Sequence, residues 1–197
     1  TGGKANYYSH PLIRGFGEYI VKMHIQGCEF LNYADCSKNH NTDFRTLYRW
    51  GKNTGSELLT DFACGVFWDH LQTGKHKPFV LATSLSYRYL RNFISSALPE
   101  SKPFRHKDFY YIESLQIMSA RTKAKNGMEL YMGIKGGHNG EGHGHNDVGS
   151  YILYADGKPL FIDPGVGEYT KDTFSEKRYT LWTMRSPWHN TPSPGGR

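Results

Sequence analysis

Several common features are missing from this 197-residue sequence, and each absence removes a class of protein. No run of about 18 apolar residues occurs, which excludes a hydrophobic membrane-spanning helix. Cysteine is sparse. Cys28, Cys36 and Cys64 are odd in number and lack CxxC spacing, so neither a disulfide framework nor a thiolate zinc site is indicated, and buried thiols are expected. No G-x-x-x-x-G-K-S/T pattern is present. The glycine-rich stretch "IKGGHNGEGHGH" also lacks a strand-loop-helix setting, so a phosphate cradle is a poor reading. Its glycines suit tight turns and the close approach of a bulky ligand, with His138, Asn139 and Glu141 lining that approach. No solenoid repeat and no signal peptide are visible. The chain opens "TGGKANYY" and closes "PSPGGR", which reads as a piece of a longer protein.

What is present describes a chain that folds and favours anions. Apolar residues make up 38%, aromatic residues 15% and charged residues 21%, far from the composition of disorder. The formal charge of +6 is gathered into small clusters: Lys75, His76 and Lys77; Arg88 and Arg91; Lys102, Arg105, His106 and Lys107. Such clusters fit a solvated face, or an acidic polysaccharide, nucleic acid or membrane surface. Fourteen tyrosines and four tryptophans tilt the balance toward sugars or nucleic acid, because aromatic faces stack on both.

The hydrophobic period changes midway. Ile13, Phe16, Ile20 and Met23 mark one face of a first helix, entered at His10 and Pro11. Thr42 and Asp43 precede a second helix carrying Phe44, Leu47 and Tyr48, with Gly51 near its stop. Ser56 caps a third helix, whose stripe of Leu58, Leu59, Phe62, Ala63, Val66, Phe67 and Leu71 ends at Gly74. Leu85, Tyr89, Phe93, Ile94 and Ala97 form a further helical stripe that Pro99 ends. Beyond "LPESKPFRHKD" the period falls to two. Met128, Leu130, Met132 and Ile134 alternate with Glu129, Tyr131, Gly133 and Lys135 as in a half-buried strand, Asp156-Gly157 forms a hairpin turn, and "RYTLWTM" reads as another strand. The expected class is α+β multidomain: a helical part at 1–103 and an antiparallel sheet part at 104–197.

The candidate chemistry lies in "GHGHNDVGSY". On an extended backbone, side chains two apart share a face, so His143 and His145 can reach one object. Two histidines hydrogen-bonded in a polar turn would explain the spacing as well. Asp163 stands where an apolar strand gives way to Pro164-Gly165, a common place for a turn-initiating aspartate, and His189 follows what reads as another strand. Taken together, two histidines and a carboxylate at the ends of neighbouring strands are ligands that zinc selects.

"GGHNGEGHGHNDVGSYILYADGKPLFIDPGVGEYT" followed by "KRYTLWTMRSPWHNTP" resembles the heparinase II/III-like family of polysaccharide lyases from about Gly133 to Pro192, and the helical half resembles that family more loosely. The resemblance implies the last helices of an incomplete α/α toroid followed by an antiparallel β-sandwich, with the active site in the cleft between them. It assigns zinc, chiefly structural, to His145, Asp163 and His189, and a substrate-facing catalytic role to His143. Asn139 and Tyr169 lie on stretches able to reach the substrate. The family's tyrosine base belongs to a segment preceding this one, and Tyr7 and Tyr8 do not match its motif. The chain is therefore expected to be an incomplete lyase, C-terminally truncated in the sandwich. The resemblance further implies a periplasmic or secreted bacterial protein.

The implied reaction is β-elimination on a uronate-containing polysaccharide, a glycosaminoglycan or alginate for example, making the parent protein a carbon-oxygen lyase. Such an enzyme neutralises the C5 carboxylate, removes the C5 proton and protonates the departing O4. An imidazole suits the first or second task. Arg178 and Arg185 can clamp carboxylates or sulfates, though surface arginines on a strand fit them equally. A non-catalytic carbohydrate-binding sandwich with structural zinc and a zinc-dependent hydrolase are the competing readings. The expected partner is an acidic polysaccharide, with no nucleic acid or membrane partner and room for a homo-oligomer.

Overall fold

The structure is a computed structural model and describes residues 6–40, 42–73 and 99–196. It combines helices with an antiparallel sheet, and the chain separates into two compact units: Thr1–Val21 with His40–His106, and Lys22–Asn39 with Lys107–Arg197.

The helices are α1 (Pro11–Met23), which belongs to the first unit up to Val21, and α2 (Phe44–Thr54) and α3 (Glu57–Thr73), wholly within it. Asp43 caps α2 by accepting hydrogen bonds from the Arg45 amide and the Thr46 hydroxyl, an arrangement worth about 1 kcal/mol. Contrary to expectation, α2 runs through Gly51 and stops at Gly55, whose φ of 65° closes it. Gly51 is instead a contact point, since a Cβ there would meet the Thr60 backbone at 2.8 Å. Ser56 caps α3 as its position suggested, accepting from the Leu59 amide. Val21, Phe44, Leu47, Leu59, Phe62, Ala63 and Val66 form the core.

The face of α1 differs from the sequence reading. Phe16 is exposed, whereas Gly17, Val21 and Met23 are buried. A Cβ at Gly17 would run into Leu59 and Trp50, so the helix packs through its smallest residue and turns the larger neighbour outward. Leu71 is also exposed at the end of the α3 stripe. Gly74 and the stripe from Leu85 to Ala97 lie outside the described residues.

The second unit holds a short hairpin of β1 (His24–Gln26) and β2 (Glu29–Phe30), and a five-stranded antiparallel sheet ordered β3-β4-β5-β6-β7. Its strands are Phe109–Ile112, Ile117–Lys123, Glu129–Lys135, Tyr151–Ala155 and Lys158–Phe161. The β1–β2 hairpin interrupts the half read as wholly helical. It turns at Gly27, with φ of 49°, and its neighbours Ile25, Phe30 and Leu31 are buried. Arg121 of β4 donates to the carbonyls of His24 and Ile25, and Ser119 to that of Lys22, which seats this segment on the sheet.

Asp156 and Gly157, with φ of 47° and 71°, make the turn between β6 and β7. Two consecutive positive φ values are what a tight hairpin matching the strands' twist requires. Strand β5 forms as the alternation suggested, but its buried side is the other one. Tyr131, Gly133 and Lys135 are buried, while Leu130, Met132 and Ile134 are only half-buried. Gly133 admits Leu31 against the sheet. Met132 pairs with Ala120 and Leu153, and Ile134 with Met118 and Tyr151, so the second face of the sheet is apolar.

Residues 178–184, expected as a strand, form two 3-10 turns, Arg178–Thr180 and Trp182–Met184. Side-chain anchors replace a ladder here. Arg178 reaches three backbone carbonyls, and the Thr183 hydroxyl donates to the carbonyl of Val166. Cys28 and Cys36 are half-buried rather than buried. Cys64 is buried, and none of the three is in a disulfide.

Candidate metal centre

Four segments of the second unit supply the site. The loop after β5 carries His143 and His145, the loop after β2 carries Asp35, the turn after β7 carries Asp163, and the 3-10 turn Ser186–Trp188 leads directly into His189. Thus His189 follows a turn, and not the strand that the sequence suggested.

His145, Asp163 and His189 converge, with one potential ligand atom of each within 4.8 Å of the others. All three residues are buried, at 0%, 4% and 7% exposure. Asp163 performs both of the jobs its position allowed. Oδ1 accepts from the Gly165 amide at 2.9 Å, shaping the turn, while Oδ2 lies 2.7 Å from His189 Nδ1. Asn32, on the segment after β2, donates to the Asp163 carbonyl and steadies that turn from below.

Two imidazole nitrogens, His145 Nδ1 and His189 Nε2, are buried with no hydrogen-bond partner among the described residues. An unpaired buried acceptor costs about 1–3 kcal/mol, so their presence beside a buried carboxylate is the feature a cation would resolve. Two imidazoles and a carboxylate fit zinc or a similar borderline ion. Burial lowers the His145 pKa, outweighing its hydrogen bond to Asp35, and so favours the neutral imidazole that a metal requires.

His143 lies outside this triad. Its backbone adopts φ of 59° in the turn at residues 142–143, so the two histidines do not share a strand face. They meet on a single carboxylate. Asp35 Oδ2 is 2.9 Å from His143 Nδ1, and Asp35 Oδ1 is 3.0 Å from His145 Nε2. The His145 side chain is wholly buried, whereas that of His143 is 66% exposed. Phe174 stands edge-on to His143 and stacks against Tyr169.

Arg178 also points at this carboxylate. Its Nη2 donates to Asp35 Oδ1 at 2.6 Å and to the His143 carbonyl, Nε donates to the Gly144 carbonyl, and Nη1 to that of Thr173. Burial raises the Asp35 pKa, but hydrogen bonds from Arg178, His143 and His145 outweigh it and hold the carboxyl below the usual range. Desolvation and the adjacent Asp35 push the Tyr169 phenol up. Asn139 and Arg185 are exposed on turns of their own.

A second buried charge cluster underlies the loop. Lys135, at the end of β5, donates to Asp147 at 2.6 Å and pairs with Glu141 at 3.1 Å. Burial would lower the lysine pKa, yet these two carboxylates raise it. The pairs brace the loop between residues 135 and 147 from both ends.

Asp35 and Asn32 escaped the sequence reading. Asp35 is 108 and 110 positions from the two histidines and sits in "NYADCSKN", where neither spacing nor period marks it.

Residues 99–196 match the sequence model of the heparinase II/III-like, C-terminal family. Over that span the chain belongs to this family, and the span includes the second unit from Lys107 to Gly196 and every site residue except those on the segment before Asn39. A comparison with curated proteins found no match.

Proposed function

We propose that this protein is a polysaccharide lyase that cleaves an acidic, uronate-containing chain by β-elimination, with His143 acting on the substrate. Membership of residues 99–196 in the heparinase II/III-like, C-terminal family supports the class of reaction. The observation that carries the assignment of roles is the division between neighbouring histidines: His143 is open to solvent and held through Nδ1, while His145 is buried beside Asp163 and His189.

In this reading the His143 Nε2 faces the uronate. As a neutral imidazole it accepts the C5 proton, and as an imidazolium it instead neutralises the C5 carboxylate by donating a hydrogen bond. The electron pair of the broken C5–H bond forms the C4=C5 double bond, the C4–O4 bond breaks, and O4 leaves protonated. The family's tyrosine would supply the remaining proton transfer from outside this segment. Tyr169, Arg185 and Asn139 are proposed to contact the sugar chain.

His145, Asp163 and His189 would hold zinc, which when bound supplies charge neutralisation for Asp163 and a cross-link between three loops. The burial of all three residues favours a structural ion over a hydrolytic one, since a hydrolytic site needs a position open to water and substrate. The helical part to residue 103 is proposed as the end of an α/α toroid. The sheet from residue 104 is proposed as one layer of a β-sandwich, a reading that its apolar second face of Met118, Ala120, Met132, Ile134 and Leu153 supports. A periplasmic or secreted location and a homo-oligomeric state belong to the same proposal.

The test is incubation of the full protein that carries this segment with a panel of uronate polymers. β-Elimination generates an unsaturated uronate that absorbs in the near ultraviolet, and His143→Ala should abolish it. New reducing ends without that absorbance would indicate hydrolysis. Binding without turnover by wild type and variant alike would indicate a carbohydrate-binding module.

A further inference from the structure

The two oxygens of Asp35 receive two histidines through opposite ring nitrogens. His143 presents Nδ1 to Oδ2 and His145 presents Nε2 to Oδ1. The carboxylate has only acceptors to offer, so each of these nitrogens must carry the proton. In the neutral rings the lone pairs are thereby left at His143 Nε2 and His145 Nδ1. The latter is buried and unpaired, next to Asp163 and His189, and the former belongs to a side chain 66% exposed.

We infer that Asp35 is a positioning residue that assigns the two histidines to different tasks, giving His145 the tautomer that ligates metal through Nδ1 and His143 the tautomer that meets substrate through Nε2. The inference rests on the functional reading above. The carboxylate is suited to this because its own side chain is only 8% exposed and has a fixed counter-charge in Arg178. Arg178 also grips the His143 and Gly144 carbonyls, so one guanidinium holds both the carboxylate and the backbone turn between the rings. Partners that orient a metal-bound histidine through its other nitrogen commonly tune metal affinity. Here the same group also orients a histidine outside the metal centre, which links metal affinity to turnover without making Asp35 a ligand or a catalytic residue.

Asp35→Asn nearly preserves shape but replaces one acceptor oxygen with a donor, so it cannot serve both rings. The experiment compares this variant with wild type and with His143→Ala and His145→Ala in the full protein. Nitrogen-15 NMR reads the histidine tautomers, chelator competition reads zinc affinity, and steady-state kinetics are taken on a polymer that the wild type cleaves. Asp35→Asn should lose the Nδ1–H signature of His143, weaken zinc by roughly 10–100-fold, and lower kcat with little change in KM. Asp35→Glu, which keeps two acceptors, should recover part of both losses. Should the Asn variant fold poorly, the Glu variant and wild-type NMR carry the test, and an Nε2–H tautomer for wild-type His143 overturns the inference. Wild-type tautomers, zinc affinity and kcat in Asp35→Asn would also overturn it. If His143→Ala and His145→Ala lose activity and metal respectively while Asp35→Asn changes neither, only the role of Asp35 fails. If those two controls lose nothing, the functional reading itself fails.

Discussion

His189 Nδ1 lies 2.7 Å from Asp163 Oδ2, with both side chains out of contact with water. An ionised carboxylate in that position needs a positive partner, because burial without one is strongly unfavourable. A cation shared by His189, Asp163 and His145 would meet that need and join loops 44 residues apart in sequence, from 145 to 189.

Metal removal should therefore destabilise the protein. With free zinc at 100 times its Kd, binding adds about 2.7 kcal/mol, which for a chain of this size corresponds to roughly 5–10 °C in Tm. Calorimetry with and without a chelator measures it. An unchanged melting temperature in zinc-replete and chelated protein would count against the site.

Lys135→Met should be among the most damaging single substitutions. It leaves Asp147 buried without its cation, and breaking one side of a buried pair costs about 3–5 kcal/mol. Urea unfolding reads the loss directly. A change below about 1 kcal/mol would mean that water reaches the pair.

The same lysine predicts a dependence on alkaline pH. Its folded pKa is raised, so its stabilising contribution is fully present below the ordinary lysine value of about 10.4 and is lost as pH rises through the folded value. Melting curves taken from pH 9 upward should fall more steeply in wild type than in Lys135→Met. Parallel curves would contradict the assignment.

The hairpin turn offers a conformational test. Gly157 has φ of 71°, so Gly157→Ala should cost about 1–2 kcal/mol. Gly142 has open space around its would-be Cβ and no positive φ, so Gly142→Ala should change stability by less than about 0.5 kcal/mol. Paired denaturant melts compare the two.

Local signals were legible in the sequence. The change of period announced helices followed by strands, Asp43 and Ser56 announced caps, and Asp156-Gly157 announced a turn, because each depends on residues only a few positions apart. His145, Asp163 and His189 were also legible as a set, though two of the strands invoked to assemble them are turns. Asp35 was not, since a carboxylate that meets its partners more than 100 positions away leaves no period or spacing behind. The buried side of β5 misled for a related reason. Lys135 is inside because Asp147 and Glu141 neutralise it there, and Gly133 because Leu31 fills the space above it.

The most direct measurement is the metal content of wild type, His143→Ala and His145→Ala, purified from zinc-replete buffer and read by elemental analysis beside their melting temperatures. Wild type and His143→Ala should each carry about one zinc per chain with similar stability, and His145→Ala should lose both metal and stability. Equal metal in all three proteins, or none in the wild type, would contradict the assignment.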